Sequence, residues 1–126
     1  MDDDKTTRKY DLQDRLLRFS TGVIQLVRCL PPDKPSAHVG QQLLRSGTSA
    51  LPNHSEALAA ESRRDFVHKM RLCHKELRET LSWLRLISDV PLINDQRELS
   101  KLLDEADQLV RIFDASIRTA TRDPRS

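Results

Sequence analysis

The sequence predicts an all-α protein, an up-down-up-down antiparallel four-helix bundle. Its 126 residues include only 4% aromatic residues and three glycines, too few for the turns and strands of a β-sandwich or barrel. Four segments repeat apolar or small residues at alternating steps of three and four, which is the spacing of a helical seam. Prolines interrupt the pattern at Pro31, Pro32, Pro35 and Pro91. Short links between long helices favour antiparallel neighbours.

The first predicted helix runs from about Leu12 to Leu30. Its repeated side chains are large and apolar: Leu12, Leu16, Phe19, Val23, Leu26 and Leu30. The second helix is predicted to begin near Ser36, which lies behind Pro35 and is a favourable N-cap residue. Its repeated side chains are smaller and more polar: Val39, Leu43, Ser46, Ala50, Asn53 and Ala57. Pro52 is expected to kink or divide this helix, because proline lacks the backbone N–H and clashes with the preceding turn.

The third predicted helix begins after Ser62 and runs to about Ser88. Ser62 followed by Asp65 resembles a capping box, which predicts the start of the helix. An unbroken seam follows: Phe66, Met70, Cys73, Leu77, Thr80, Leu84 and Ile87. This pattern predicts a long, continuous helix.

The fourth predicted helix begins near Asn94 or Asp95 and runs to about Ala120. Its seam repeats the same spacing: Leu99, Leu103, Ala106, Val110, Phe113, Ile117 and Ala120. The chain is therefore predicted to have three parts. They are a flexible N-terminal segment over 1–9, the bundle domain over 10–120 and a disordered tail over 121–126.

Composition excludes several classes of protein. The 21 Lys and Arg residues nearly balance the 19 Asp and Glu residues, which excludes a histone-like binder of nucleic acid. No apolar run approaches ~18 residues, so no transmembrane span is expected. The polar, acidic start is unlike a signal peptide. Cys29 and Cys73 form no CxxC motif and are expected to be reduced, buried thiols, so we predict a cytoplasmic location.

No metal or other cofactor is predicted. A di-iron site in a four-helix bundle requires two Glu-x-x-His pairs, and none of the four histidines has a glutamate three residues before it. The two cysteines lie far apart without the paired spacing of a zinc site. Neither a G-x-S-x-G elbow nor a phosphate-binding loop is present.

The second predicted helix carries a group of polar residues on one face. Ser46, Ser49, Asn53 and Glu56 are spaced three, four and three apart, so they share one face, and Glu76 of the third helix is a candidate partner. We predict that these five residues form a buried structural hydrogen-bond network that also serves the backbone opened by Pro52. The alternative is a ligand or catalytic pocket. If Glu56 is buried and paired, Glu56→Ala should cost roughly 3 kcal/mol or more.

Basic residues are frequent on the third helix, whereas the fourth leans acidic. The candidate nucleic-acid-binding residues are Arg15, Arg63, Arg64, Arg71 and Arg78. The alternative is an ordinary solvated surface with pairs of opposite charge on successive turns. Assembly into an oligomer would favour binding, because repeated weak patches act together.

Two stretches resemble a known family. The first is Arg45–Ala57, in which Arg45, Ser46, Ser49, Asn53 and Glu56 match the family pattern. In the second the matching residues are Phe66, Lys69, Lys75, Glu76, Glu79, Thr80, Trp83 and Leu84. The chain resembles the bacterial four helix bundle protein family, also called the ribosomal-RNA intervening-sequence protein family. It departs from the pattern at Ala57, where many members have glycine, and at His54, where aliphatic or aromatic residues are common.

The resemblance implies a four-helix bundle that assembles as a homopentameric ring without an established enzymatic activity. A relative, the accessory variability determinant of diversity-generating retroelements, is strongly basic, binds nucleic acid and partners a reverse transcriptase. We therefore expect a non-enzymatic adaptor that binds structured RNA or DNA, with a reverse transcriptase as an implied partner. The first alternative is a protein-docking module that does not contact nucleic acid. The second is an enzyme that uses Asn53, Glu56 and Glu76.

Overall fold

The structure, a computed structural model, describes residues 2–122, with side chains described from residue 11 onward. Four helices follow one another: α1 (Asp2–Arg28), α2 (Lys34–Leu58), α3 (Arg63–Asp89) and α4 (Arg97–Arg122). Each helix packs along the next, and α4 returns to pack along α1. This arrangement confirms the predicted all-α four-helix bundle. The α2–α3 contact is the most extensive, and the α1–α4 contact is the least.

The start of α2 differs from the prediction. Its N-cap is Asp33, whose carboxylate accepts a hydrogen bond from the Ser36 backbone N–H at 2.9 Å. Pro35 fits inside the first turn, where its missing N–H would have had no helical partner, so the helix begins at Lys34. The predicted cap at Ser36 is therefore wrong. The cap of α3 is confirmed, because the Ser62 hydroxyl accepts from the Asp65 N–H at 3.0 Å.

Pro52 does not divide α2, which runs continuously through it. The proline is exposed, so its ring points away from the neighbouring helices. The side chain of Asn53 donates to the Ser49 carbonyl at 3.0 Å, beside the turn that the proline disturbs. The Ser49 carbonyl is the neighbour of the Thr48 carbonyl, which loses its backbone donor at Pro52, so Asn53 adds a hydrogen bond next to that position and does not replace the lost one.

Helix α1 begins earlier, and helix α4 ends later, than the sequence predicted. The first helix begins at Asp2, ten residues before the predicted start, and neither proline nor glycine lies between Asp2 and Leu12 to stop it. The last helix continues to Arg122. The flexible segment over 1–9 and the disordered tail over 121–126 stay predictions, and Met1 and residues 123–126 lie outside the described residues.

The core consists of the seam residues of all four helices. The largest fully buried apolar side chains include Leu16, Leu43, Leu77, Leu99 and Phe113. The Cys73 thiol is buried and donates to the Ala50 carbonyl at 3.5 Å, as predicted. Cys29 is exposed, which corrects the prediction of a buried thiol, because it follows the last residue of α1 and lies off the seam.

Gly47 explains why α1 and α2 approach so closely. A Cβ built at Gly47 would lie 2.7 Å from Val23 Cγ1, closer than two carbon atoms can pack. The Gly47 carbonyl also accepts a hydrogen bond from the buried Ser20 hydroxyl at 3.0 Å. The small residues of α2 therefore provide space for α1.

We expect Gly47→Ala to destabilise the protein by about 1–3 kcal/mol, because overpacking against the stiff, buried Val23 exceeds the gain of about 1 kcal/mol in helix propensity. Gly22→Ala is the matched control. There the nearest atom is Cδ2 of Leu102, at 2.9 Å, and this flexible end can move. Urea unfolding measures both free energies, and equal effects of the two substitutions would contradict this account.

Candidate nucleic-acid interface

The polar residues of the two matched stretches meet where α2 contacts α3. Arg45 donates to Glu76 Oε2 at 2.9 Å and also to Glu79, which accepts in addition from Trp83 Nε1 at 3.1 Å. The hydrogen bonds from Trp83 and Arg45 lower the pKa of the Glu79 carboxyl. His38 packs edge-on against Trp83, with ring centroids 6.1 Å apart. These side chains form a cluster of contacts that holds α2 against α3.

The contact between α2 and α3 also includes a buried pair of hydroxyl groups. The hydroxyls of Ser46 and Thr80 lie 2.9 Å apart, and both residues are fully buried. The Thr80 hydroxyl is also within 2.8 Å of the Glu76 carbonyl. Buried hydroxyls that are paired in this way fix the register of one helix against the other.

The five predicted polar residues do not form one buried network. Ser46 belongs to the buried hydrogen bond with Thr80, and Glu76 is paired with Arg45. Ser49 only donates to the Arg45 carbonyl of its own helix, at 2.6 Å. Asn53 serves its own helix, as described above. The Glu56 side chain is 59% exposed and pairs with Lys69 at 3.3 Å.

The exposure of Glu56 contradicts the burial on which the expected loss of stability for Glu56→Ala depended. A position seven residues beyond Ser49 lies at the edge of the α2 seam, where water reaches the carboxylate. Exposed ion pairs contribute about 0–1 kcal/mol. In urea unfolding, we now expect Glu56→Ala to change the free energy by at most about 0.5 kcal/mol, because solvent screens its pair with Lys69. A loss near 3 kcal/mol would contradict the observed exposure.

His54 takes the buried place that the sequence assigned to Asn53. Its side chain is 2% exposed and packs edge-on against Phe113 at 5.7 Å. Nδ1 is hydrogen-bonded to the Gln13 side-chain oxygen, and Gln13 Nε2 donates to Ser55 Oγ at 2.6 Å. Burial lowers the pKa of His54 to about 4, so the imidazole is neutral near pH 7.

The outer edge of α3 carries a continuous row of basic residues. Seven exposed residues follow one another at alternating steps of four and three, so they share one edge of the helix. We call them the α3 basic stripe: Arg64, His68, Arg71, Lys75, Arg78, Ser82 and Arg85. Ser82 is the one member that is not basic. The stripe is about 31 Å long at 1.5 Å per residue.

The cations of the stripe are not held in close ion pairs within the described part of the chain. Among residues 11–122, none of its lysine or arginine side chains lies within 4.0 Å of a carboxylate. The nearby acids of α3, Glu76 and Glu79, are held by Arg45 of α2. The stripe therefore presents an excess of positive charge to solvent, which the attraction between Lys75 and Glu79 reduces only locally.

Helix α4 behaves differently, although its sequence leans acidic. Three of its carboxylates pair with cations of the same helix, about one turn away, and Glu105 pairs with Arg15 of α1. The pairs within α4 are Glu98–Lys101 at 3.4 Å, Asp107–Arg111 at 2.9 Å and Asp114–Arg118 at 2.6 Å. The sequence predicted a basic α3 and an acidic α4. In the structure α3 carries the basic stripe, whereas most of the carboxylates of α4 are paired with cations.

The predicted nucleic-acid-binding residues do not all lie together. Arg64, Arg71 and Arg78 belong to the stripe, and Arg63 donates to the Ala120 carbonyl of α4 at 3.5 Å. Arg15 lies elsewhere. It donates to both carboxylate oxygens of Glu105, at 3.0 and 2.6 Å, and to the Gln108 side chain at 3.2 Å, so it connects α1 to α4.

Sequence reasoning left Lys75, Arg85 and His68 out of the candidate set. The signal was present, because Arg64, Arg71, Arg78 and Arg85 are each seven residues apart and therefore lie on one edge. Among residues 11–122, no group of three or more histidine, cysteine or acidic side chains could hold a metal ion.

A family model described as "23S rRNA-intervening sequence protein" matches residues 8–115. The chain belongs to this family. A crystal structure of a protein of unknown function from the S23 ribosomal protein family of Bacteroides thetaiotaomicron is 27% identical, with a TM-score of 0.78. The match covers 87% of this chain and 97% of that one. No curated protein matches this chain.

For this member of the 23S rRNA-intervening sequence protein family, the matched motif has a structural explanation. Its residues Arg45, Ser46, Glu79, Thr80 and Trp83 are those that hold α2 against α3. These residues of the motif therefore stabilise the contact between α2 and α3. No helix within the described residues is long and apolar enough to cross a membrane.

Proposed function

We propose that this family member is a non-enzymatic adaptor that binds structured RNA or DNA through the α3 basic stripe. The observation that carries the proposal is the row of exposed cations along one edge of α3, none of which forms a close ion pair among the described residues. Phosphate contacts supply most of the affinity in binding of this kind and carry no sequence information. The rigid bundle holds the cations in a fixed row before the nucleic acid arrives, which lowers the entropy lost on binding.

The expected binding is strongly dependent on salt. Five cations of the stripe, Arg64, Arg71, Lys75, Arg78 and Arg85, are available to displace counterions. A plot of log affinity against log salt concentration should have a slope of about −4 to −5 for a duplex. Fluorescence anisotropy with the full chain and a labelled RNA duplex of about 20 base pairs, longer than the stripe, measures it. A slope near zero, or no binding at low salt, would contradict the proposal.

We also propose that the chain assembles with copies of itself, as a homopentamer. Two observations support self-association. Leu17 and Ile24 lie on one edge of α1 and are 52% and 37% exposed, and Leu44 of α2 is 38% exposed. Exposed large apolar side chains of this kind are typical of protein interfaces. The number five rests on the family resemblance alone.

Assembly would repeat the stripe around the oligomer and increase the affinity for a long nucleic acid through multivalency. Sedimentation equilibrium of the full chain tests this part of the proposal. A mass of about five times 14.5 kDa is the expected result, and a monomer at all concentrations would contradict it.

The proposal that the chain is not an enzyme is supported by the separation of the residues considered for catalysis. The Asn53 side chain donates to its own helix, Glu56 pairs with Lys69, and Glu76 pairs with Arg45. A partnership with a reverse transcriptase rests on the family resemblance alone. The docking alternative is favoured by the same exposed apolar residues, and salt-tolerant binding of a protein partner would distinguish it.

A further inference from the structure

One end of the α3 basic stripe lines a recess in which the described residues place no acidic side chain, whereas the recess beside Lys75 and Arg78 also contains the Glu79 carboxylate. The first turns of α3 and the last turn of α4 enclose a recess of about 400 Å³. Arg64, His68 and Arg71 line it from α3, and Ala120 and Thr121 line it from α4. Arg78 and Arg85, which follow Lys75 along the stripe, do not line this recess.

The chemistry of this recess suits an anion. Arg64, His68 and Arg71 are separated by four and three residues, so their donor groups lie on the same edge of α3 and reach the same space. The two guanidinium groups form no ion pair with a carboxylate among the described residues. Guanidinium groups bind phosphate oxygens in pairs, with favourable geometry as well as charge.

The wall contributed by α4 is compatible with a bound anion. The carbonyl of Ala120 belongs to the negative end of the α4 dipole and would repel a phosphate. It accepts a hydrogen bond from Arg63 at 3.5 Å, which offsets that repulsion. The Thr121 hydroxyl donates to the Arg118 carbonyl at 3.1 Å, so Thr121 acts here as a wall and not as a donor.

We propose that this recess is a phosphate-anchoring site, in which one backbone phosphodiester of the bound nucleic acid lies between α3 and α4. Arg64 and Arg71 bind its oxygens and His68 donates a further hydrogen bond. The remaining cations of the stripe contact neighbouring phosphates less strongly, because the Glu79 carboxylate lies beside Lys75 and Arg78 and repels an anion there. The anchor fixes where the nucleic acid lies along the stripe. This inference rests on the proposed function.

The test compares two double substitutions that remove equal charge from the two ends of the stripe. Arg64→Gln/Arg71→Gln removes the anchor, and Arg78→Gln/Arg85→Gln is the matched control. Binding of a 20-base-pair RNA duplex to the full chain is measured by fluorescence anisotropy for both. We expect the first pair to lose at least tenfold more affinity than the second. Equal losses would overturn the anchor and leave the proposed function standing, whereas no loss in either pair would overturn both.

A second pair of substitutions tests the role of α4. Thr121→Glu adds a negative charge to the wall of the recess, and Ser82→Glu adds the same charge to the part of the stripe outside this recess. Both side chains are exposed, so both variants should fold. The anchor predicts a larger loss of affinity for Thr121→Glu, and a larger loss for Ser82→Glu would overturn it. Duplexes with 5′-hydroxyl and 5′-phosphate ends should bind equally, and tighter binding of the 5′-phosphate would assign the recess to a terminal phosphate instead.

Discussion

Arg71→Glu/Arg78→Glu is expected to lower the affinity of the full chain for an RNA duplex by about 100-fold or more at about 0.1 M salt. Each substitution removes one phosphate contact and adds one repulsive charge at the centre of the stripe. The slope of log affinity against log salt concentration should also become smaller by about two. Fluorescence anisotropy at several salt concentrations measures both quantities. The variant should remain folded, because both side chains are exposed.

A variant of equal charge separates the stripe from net charge. Arg111→Glu/Arg118→Glu makes the same change on α4, where both arginines pair with aspartates of their own helix. We expect this control to lose less than about tenfold in affinity, since its arginines are already neutralised. If the two variants lose equal affinity, overall charge explains the binding and the stripe does not.

The second large effect concerns acid stability and His54. Burial lowers the pKa of this imidazole from 6.5 to about 4, so the unfolded chain takes up the proton more readily than the folded one. The corresponding stability is fully present above pH 6.5 and is lost as the pH falls from 6.5 towards 4. The loss should be about 3 kcal/mol, as an order of magnitude.

The substitution His54→Asn removes this titration and keeps a donor near the Gln13 side-chain oxygen. We expect the free energy of unfolding of the variant to depend less on pH than that of the wild type, with the difference confined to pH 4–6.5. Urea unfolding at several pH values measures it, and His68→Asn, on the exposed stripe, is the control. If the pH dependence of His54→Asn matches that of the wild type, the buried imidazole is not the responsible group.

Much of the fold was predictable because the pattern of large apolar residues is strong. The seams of α3 and α4 determined both helices to within a few residues, and Ser62 was correctly predicted as a cap. The start of α2 was not, because Asp33 and Ser36 are both good cap residues and only the position of Pro35 in the first turn decides between them.

The candidate site was predictable in part, for a physical reason. Exposed charges spaced seven apart on one helix lie on one edge whatever the rest of the chain does, so the stripe could be read from the sequence. The pairing of Arg15 with Glu105 could not, because it joins residues 90 positions apart. The burial of His54 in place of Asn53 also depends on tertiary packing, since the imidazole packs against Phe113 of α4.

Cross-linking of the full chain to an RNA duplex, followed by mass spectrometry of the linked peptides, tests the central claim most directly. The account predicts that the linked residues lie on the outer edge of α3, within 64–85, and at the adjoining end of α4. Links concentrated on the exposed edges of α1 and α2, around Leu17, Ile24 and Leu44, would contradict it and would assign that apolar surface, instead of the basic stripe, to the nucleic acid.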